Sequence, residues 1–307
     1  MVYAALAGNA LVALTKFVAA ALSGSSAMLT EAIHSSSDCT NQVLLLIGVR
    51  RGNRPADPSH PFGYGMEIYF WTFVVATLVL LAGGVFSVIQ GIRELADPHP
   101  IHTPLLNLSV LALAAVFEGG SFIVAYREYR KIAAAHVIPG QSANLVRFIK
   151  WSKDPSVYAT LLEDGAALVG IGIAAMGTVA NAYYDFFAAD GLASVLIGLL
   201  LLANGVIILV ATRSLIAGEA VAPTLLHDLL IGIRGHPWSD RISDISTLHL
   251  GPNCILIAVA LLPGDGEGFD HELAREIERQ LKSIDPRIRE VLYRFQTRKG
   301  PAKLATS

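Results

Sequence analysis

Apolar residues occur in six long runs, separated by short polar breaks, over the first part of the chain. The runs cover residues 3–22, 26–49, 68–92, 105–126, 157–180 and 186–212. A helix needs about 20 mostly apolar residues to cross a hydrocarbon core of roughly 30 Å, and each run has that length. The pattern therefore predicts a transmembrane domain of six helices over residues 1–216. The first run is too long, and too closely followed by the second, to be a cleavable signal peptide.

Basic residues are concentrated in every second connection between these runs. Arg50, Arg51 and Arg54 follow the second run, whereas the connections at 23–26, 93–104 and 181–185 hold only Arg93. The connection after the fourth run carries Arg127, Arg130, Lys131, Arg147, Lys150 and Lys153. Because Lys and Arg accumulate in cytoplasmic loops, this asymmetry predicts that both termini lie in the cytoplasm.

The remaining residues, 217–307, have the pattern of a small soluble domain. Helical periodicity over 223–234 and 270–283 combines with strand-like runs at 245–250, 254–262 and 288–296. The order αββαβ predicts a cytoplasmic, ferredoxin-like α+β domain in which two helices cover one face of a three-stranded sheet. A domain of this size is weakly stable by itself, so we expect it to dimerise.

Composition and charge exclude several classes of function. Only 16% of the residues are charged, and 25 charged residues precede residue 216 while 23 follow it. A net charge of −2 argues against a nucleic-acid partner, which needs an excess of Lys and Arg. Cys39 and Cys254 lie in different segments and indicate neither a disulfide framework nor a zinc finger. The chain has no nucleophile elbow, phosphate-binding glycine loop or HExxH motif, so we expect neither an enzyme nor a prosthetic group.

A few ionisable residues lie inside the predicted spans, where an ionised side chain costs several kcal/mol. They are Glu31, His34 and Asp38 in the second span, Glu118 in the fourth, Glu163 and Asp164 in the fifth, and Asp190 in the sixth. His34 and Asp38 are four residues apart, so they share one helix face, as two ligands of one ion must. An imidazole with carboxylates suits zinc, and also cobalt, manganese or iron(II).

A site made only of these two residues is incomplete, so such an ion needs ligands from another helix. Asp164 is the best candidate because it too lies mid-span, and Glu163 is about 100° away around the same helix. The acids could instead pair with Lys16, Asn9 or Asn41 and only fix the packing of the helices. Glu118 in the fourth span and Asp190 in the sixth each stand alone, so a structural role and a functional role are about equally favoured for them.

Two longer motifs accompany the His-x3-Asp pair. One runs from Ser25 to Asp38, and the other is Arg-Pro-Ala-Asp-Pro-Ser-His-Pro-Phe-Gly-Tyr-Gly, from Arg54 to Gly65. With the six spans, the acidic pair in the fifth and the αββαβ domain, they resemble the cation diffusion facilitator family of zinc and divalent-metal efflux transporters. The resemblance implies a homodimer in a lipid bilayer that exports a divalent cation. Zinc is the leading expectation, and Mn²⁺, Fe²⁺ or Co²⁺ is the alternative.

The resemblance also implies a transport site with two residues from span two and two from span five. By position these are His34, Asp38, Thr160 and Asp164, although a typical zinc member has His in place of Thr160. Water or Thr160 could complete three strong ligands, or Glu163 could supply the fourth through a local distortion. We favour Glu163, because Glu163-Asp164 resembles a divergent branch of the family.

Two further metal sites of the family are incomplete in this sequence. In the loop after span two, Asp57 and His60 match the motif, but Tyr64 stands where a His ligand would be. This segment is explained about equally well by a weak metal site and by a loop whose Pro, Gly and aromatic residues only anchor it at the membrane interface. In the C-terminal domain His271 falls at a matching place, but the last strand lacks the second His. We expect no strong regulatory metal cluster there.

The resemblance implies alternating access, with spans one, two, four and five rocking against a dimer-forming pair, three and six. Metal binding needs neutral imidazole and ionised carboxylates, so it releases protons, and protonation expels the metal. His34 is the group best placed to exchange protons near neutral pH. We therefore expect exchange of cytoplasmic metal for external protons.

Two other functions compete with this hypothesis: a metal sensor or scaffold, and a passive ion channel. A non-transporting metal sensor or scaffold would not need acids in its lipid-spanning half, and a passive channel would carry ions without saturation or proton exchange.

The sequence shows no eukaryotic targeting segment and has almost no tail before the first span. A bacterial cytoplasmic membrane is the simplest expectation, and an organellar membrane is the alternative.

Overall fold

The protein is described by a computed structural model that covers residues 2–135, 145, 148–149, 154–262 and 270–295. Its residues cluster into two compact units. The helical unit comprises Met1–Gly48, Phe70–Ala135 and Pro155–Thr212. The sheet unit comprises Val49–Tyr69, His136–Asp154 and Arg213–Ser307. The loop between the second and third helices thus clusters with the C-terminal part of the chain.

Six long helices in the described part of the chain correspond to the six predicted spans. They are α1 (Val2–Ser23), α2 (Ser26–Gly52), α3 (Glu67–Ala96), α4 (Pro104–Ala135), α5 (Pro155–Tyr183) and α6 (Ala188–Ile216). Pro104 and Pro155 occupy first-turn positions, where the missing N–H removes no helical hydrogen bond. Gly24 has a φ of 71° and allows the tight turn from α1 into α2.

Four of these helices, α3 to α6, are long and apolar enough to cross a membrane. The apolar stretch found in α1, Asn9–Ser23, is shorter than the others. Helix α2 has 27 residues but is polar from Glu31 to Gln42. The helical membrane domain is therefore confirmed, and the crossing of the membrane by α1 and α2 stays a prediction.

Many interior residues of the helical unit are small, and large apolar residues cover its outside. Ala19, Ala27 and Ala174 are buried in a core shared by α1, α2, α4, α5 and α6. By contrast, Val116 is 73% exposed and Met176 is 66% exposed. Small interior residues let the helix backbones approach closely, and a surface of large apolar side chains suits lipid.

Helices α3 and α6 pack against each other along glycines spaced by seven residues. The glycines are Gly84 and Gly91 on α3 and Gly191, Gly198 and Gly205 on α6. A Cβ atom on Gly198 would lie 2.7 Å from the backbone nitrogen of Val88. A seven-residue repeat keeps one helix face turned toward its partner. Helix α3 is π-helical at Val79–Val85, within this packed region.

We expect Gly198→Ala to destabilise the protein by about 1–3 kcal/mol, because the added methyl group would overlap the α3 backbone. The measurement is the apparent melting temperature of the detergent-solubilised protein. Gly172→Ala on α5 is the matched control, since no atom of another helix in the described part of the chain lies within 4 Å of its Cβ position. Equal melting temperatures for the two variants would contradict close packing at Gly198.

In the part of the sheet unit that the structure describes after Ile216, two α-helices, a short 3-10 turn at Ser239–Arg241 and a three-stranded sheet are present. Its elements are α7 (Pro223–Arg234), β1 (Ile242–Gly251), β2 (Cys254–Leu261), α8 (His271–Ile284) and β3 (Ile288–Phe295). The strands are ordered β1-β2-β3, with β1 antiparallel and β3 parallel to β2. This is the predicted αββαβ order, while the ferredoxin-like comparison stays a prediction.

The core of the sheet unit forms between the sheet and its two helices. Alternate residues of β2, among them Ile257 and Val259, are fully buried against Leu229 of α7 and Ile277 of α8. Helix α8 begins after Asp270, whose carboxylate accepts a hydrogen bond from the backbone N–H of Leu273 at 3.0 Å. The apolar residues that recur every second position in the strands and about every 3.6 positions in the helices therefore face each other in one buried layer.

Candidate functional site

His34 and Asp38 form a close, buried pair on α2. Nε2 of His34 lies 3.7 Å from Oδ2 of Asp38, and the imidazole is 1% exposed. Among the described residues, neither ring nitrogen of His34 nor Oδ1 of Asp38 has a hydrogen-bond partner. Two atoms bound to one zinc ion at 2.0–2.1 Å are separated by about 3.3 Å at the tetrahedral angle. The pair therefore offers donor atoms at a spacing close to that of two metal ligands.

The two acids of α5 are directed at different helices. Oε1 of Glu163 accepts a hydrogen bond from Nδ2 of Asn41 on α2 at 3.3 Å. Oδ2 of Asp164 accepts one from Oγ of Ser121 on α4 at 2.6 Å. The roughly 100° between successive helical residues accounts for this divergence. Both acids also interact electrostatically with Asp38, so both border the α2 pair.

The four predicted ligands do not form one coordination shell in this conformation. Across the ranges that the structure covers, no three His, Cys, Asp or Glu side chains lie close enough to hold one metal ion. Asp164 and Glu163 lie on a facing helix, and Thr160 lies one turn before Asp164 and is half-buried. The composition of a complete site stays a prediction.

Glu118 is less isolated than its position in the sequence suggested. Its carboxylate interacts electrostatically with His34, Asp38 and Asp164. Ser121, one turn later on α4, donates the hydrogen bond to Asp164. Helix α4 therefore borders the same region as α2 and α5. Sequence reasoning missed Ser121, because a single serine in an apolar helix is unremarkable except for its i,i+3 spacing from an acid.

The structural partners considered as an alternative are engaged with other acids. Lys16 on α1 lies 3.0 Å from Oε2 of Glu31, and both side chains are fully buried. Asn41 donates to Glu163. Within the described ranges, neither Lys16 nor Asn41 donates a hydrogen bond to the His34–Asp38 pair. The pair is therefore not explained by helix packing through these two residues.

Asp190 has a structural role at the start of α2. Its Oδ1 accepts a hydrogen bond from Oγ of Ser25 at 2.6 Å. Its Oδ2 accepts the backbone N–H groups of Ser26 and Ala27, the latter at 3.2 Å. The first N–H groups of a helix have no partner within it, and a carboxylate there also complements the helix dipole. Helix α6 thus caps the N-terminus of α2.

The loop between α2 and α3 is organised by hydrogen bonds to Asp57. Its Oδ1 accepts hydrogen bonds from the hydroxyl of Ser59 at 2.6 Å and from the backbone N–H of His60 at 2.9 Å. Its Oδ2 accepts a hydrogen bond from the Tyr64 hydroxyl at 2.6 Å. The Ser59 and Tyr64 side chains hold the pKa of Asp57 well below its usual range. His60 stacks on Tyr64 with ring centroids 4.0 Å apart. Hydrogen bonds thus occupy the carboxylate that a metal would need, and the weak loop site stays a prediction.

His271 lies outside the helical unit, at the start of α8. It is exposed and follows Asp270, which caps the helix. No group of three metal-ligating side chains surrounds it in the part of the sheet unit that the structure describes. A metal site at His271 stays a prediction.

Comparison with known proteins identifies the family. The family model of the cation efflux transmembrane domain matches residues 2–217, more than two thirds of the chain. The chain belongs to the cation diffusion facilitator, or cation efflux, family. This is a family of transporters, so the resemblance noted from the two motifs is confirmed.

Named relatives of this cation diffusion facilitator come from animals, plants and bacteria. The human "Proton-coupled zinc antiporter SLC30A9, mitochondrial" is 31% identical over 253 residues, which are 82% of this chain and 43% of that protein. "Metal tolerance protein C4" of Arabidopsis thaliana is 29% identical over 247 residues, 80% of this chain and 52% of that protein. "Magnetosome protein MamM" of Paramagnetospirillum magneticum is 29% identical over 111 residues, 36% of this chain and 35% of that protein. The chain spans less than half the length of the human relative.

Proposed function

We propose that this protein exports a divalent metal cation, with zinc as the preferred ion, in exchange for protons. The observation that carries the proposal is the buried His34–Asp38 pair, in which both ring nitrogens and Oδ1 of Asp38 have no hydrogen-bond partner among the described residues. Burying such groups without partners is costly, so in a membrane helix they indicate an ion pathway. The carboxyl groups of Glu118, Glu163 and Asp164 border the pair.

Proton exchange follows from the chemistry of these ligands. A metal binds neutral imidazole and ionised carboxylates, so protons leave His34, Asp38 and their acidic neighbours when the ion enters. Proton return from the opposite side expels the ion and resets the site. The printed name of the human relative describes a proton-coupled zinc antiporter, which supports both the exchange and the preference for zinc.

The proposal includes an arrangement in the membrane. All six helices α1–α6 cross it, both termini face the cytoplasm, and the chain dimerises through its C-terminal domain. The concentration of Lys and Arg in alternate connections supports this orientation. Alternating access brings α2 and α5 together around the ion, while α3 and α6, joined along their glycines, form the static pair. A bacterial cytoplasmic membrane stays our prediction for this chain, and the name of the human relative places that protein in mitochondria.

Reconstitution into liposomes tests the proposal. We expect saturable zinc uptake that increases when the lumen is more acidic than the outside, and we expect Asp38→Ala to abolish it. Glu128→Ala is the matched control, because that acid on α4 is 51% exposed. Flux that is indifferent to both the pH gradient and Asp38→Ala would overturn the proposal. A channel would give unsaturated flux without proton movement, and a sensor would bind zinc without flux.

The same liposomes determine metal preference. Zinc, cobalt, manganese and iron(II) are compared at equal concentrations and equal pH gradients. Because His34 supplies an imidazole, we expect zinc and cobalt to be carried faster than manganese, which favours oxygen ligands. Faster transport of manganese would favour the alternative ion and assign a larger role to the carboxylates.

A further inference from the structure

A lysine is completely buried in the helical unit. Lys16 of α1 has no exposed side-chain surface, and its Nζ donates hydrogen bonds to Oε2 of Glu31 at 3.0 Å and to Oγ of Ser35 at 2.7 Å. Glu31 and Ser35 are four residues apart on α2, so one ammonium group bridges two successive turns. His34 lies between them in the sequence, directly before Ser35.

The ion pair also lies against a third helix. Oε1 of Glu31 has no hydrogen-bond partner among the described residues. This oxygen lies against Gly170 of α5, where a Cβ atom would be only 2.5 Å from it. The pair is therefore placed where α1, α2 and α5 meet, and α2 and α5 carry the four predicted metal ligands.

Stability does not account for charges at this place. Removing a Lys and a Glu from water is costly, and apolar residues of similar volume often hold helices together as well or better. In some proteins, however, a buried polar or ionic pair fixes one arrangement of its helices. At this junction, the hydrogen bonds from Lys16 to Glu31 and Ser35 would restrict the rotation of α2 about its own axis.

We infer that Lys16 is a positioning residue for transport: by bridging Glu31 and Ser35 it sets the rotation of α2 and thereby aims His34 at the ion. The inference rests on the proposed function, since it assigns Lys16 a role in metal binding through His34. Lys16 does not coordinate the ion. Its charge is also close enough to interact electrostatically with His34 and Asp38.

The test uses a variant without the two charges. Lys16→Met alone would leave a buried carboxylate unpaired and destabilise the fold, so it is combined with Glu31→Leu. We expect the double variant to melt at or above the wild-type temperature, yet to bind Zn²⁺ about 10-fold more weakly by calorimetry in detergent, the scale of outer-shell effects on metal sites. The control makes the same substitutions, Lys131→Met with Glu128→Leu, in the exposed pair on α4.

A double-mutant cycle identifies His34 as the residue that Lys16 positions. In a His34→Ala background, loss of the Lys16–Glu31 pair should weaken zinc binding less than two-fold, because no imidazole is left to aim. In a Glu163→Gln background the full loss of about 10-fold should persist. An equal loss in both backgrounds, or unchanged affinity in a folded double variant, would overturn the positioning role. Wild-type protein that binds no zinc would overturn the proposed function as well.

Discussion

Asp164→Asn should reduce zinc flux by at least about 100-fold while leaving the protein folded. The amide oxygen of asparagine can still accept the hydrogen bond from Ser121, but the negative charge beside His34 and Asp38 is lost. Removing a ligand should cost at least as much affinity as removing an outer-shell partner, which costs 10–100-fold. Calorimetry measures the binding loss, the liposome assay measures flux, and thermal unfolding checks the fold.

Glu163→Gln is the matched comparison at the neighbouring position. The glutamine oxygen can still accept the hydrogen bond from Asn41, so packing between α2 and α5 is retained. If Glu163 is the fourth ligand, this variant should bind zinc about 10-fold more weakly. Unaltered affinity and flux in Glu163→Gln, with both lost in Asp164→Asn, would leave Thr160 or water as the fourth ligand. Wild-type flux in Asp164→Asn would remove Asp164 from the site.

Asp190→Ala should lower the free energy of unfolding by about 2–4 kcal/mol. The substitution removes the acceptor for Ser25, Ser26 and Ala27 at once. Loss of a helix cap costs about 0.5–2 kcal/mol, and donors left without partners in a buried place add about 1–3 kcal/mol. Denaturant titration in mixed micelles measures the loss, and Asp190→Asn, which keeps acceptor oxygens, should lose less.

Asp97→Ala serves as the control for that measurement. Asp97 is another acid at a helix end, but its side chain is 87% exposed and it accepts no backbone N–H of a following helix in the described structure. We expect a change within about 0.5 kcal/mol, as for most surface substitutions. If Asp190→Ala unfolds at the wild-type denaturant concentration, the cap that α6 provides does not stabilise α2.

Local patterns predicted the elements of this protein because each element follows from neighbouring residues. The apolar runs gave the positions of α1 to α6, and the strand-like runs at 245–250 and 254–262 lie in β1 and β2, which Pro252 and Asn253 separate. Helix α2 is the instructive exception among the predicted spans. Its polar residues between Glu31 and Gln42 make it the least membrane-like of the six. In this helix, composition is set by candidate ligands and their partners rather than by lipid.

The candidate site was predictable only where its residues lie on one helix. The i,i+4 spacing of His34 and Asp38 gave their proximity directly. The hydrogen bond between Asn41 and Glu163 joins residues 122 positions apart, and that between Ser25 and Asp190 joins residues 165 positions apart. Such contacts depend on how helices pack, and no periodicity in one sequence contains that information. The structural role of Asp190 and the bridge made by Lys16 therefore follow only from the three-dimensional packing of the helices.

The hydrogen bonds around Asp57 close the α2–α3 loop with residues of the loop itself. Tyr64, Ser59 and the backbone of His60 already donate to both carboxylate oxygens, so an ion bound there would have to compete with these donors. A loop closed by its own side chains should keep one shape at low and at high metal concentration. We therefore expect it to remain folded in the presence of a chelator.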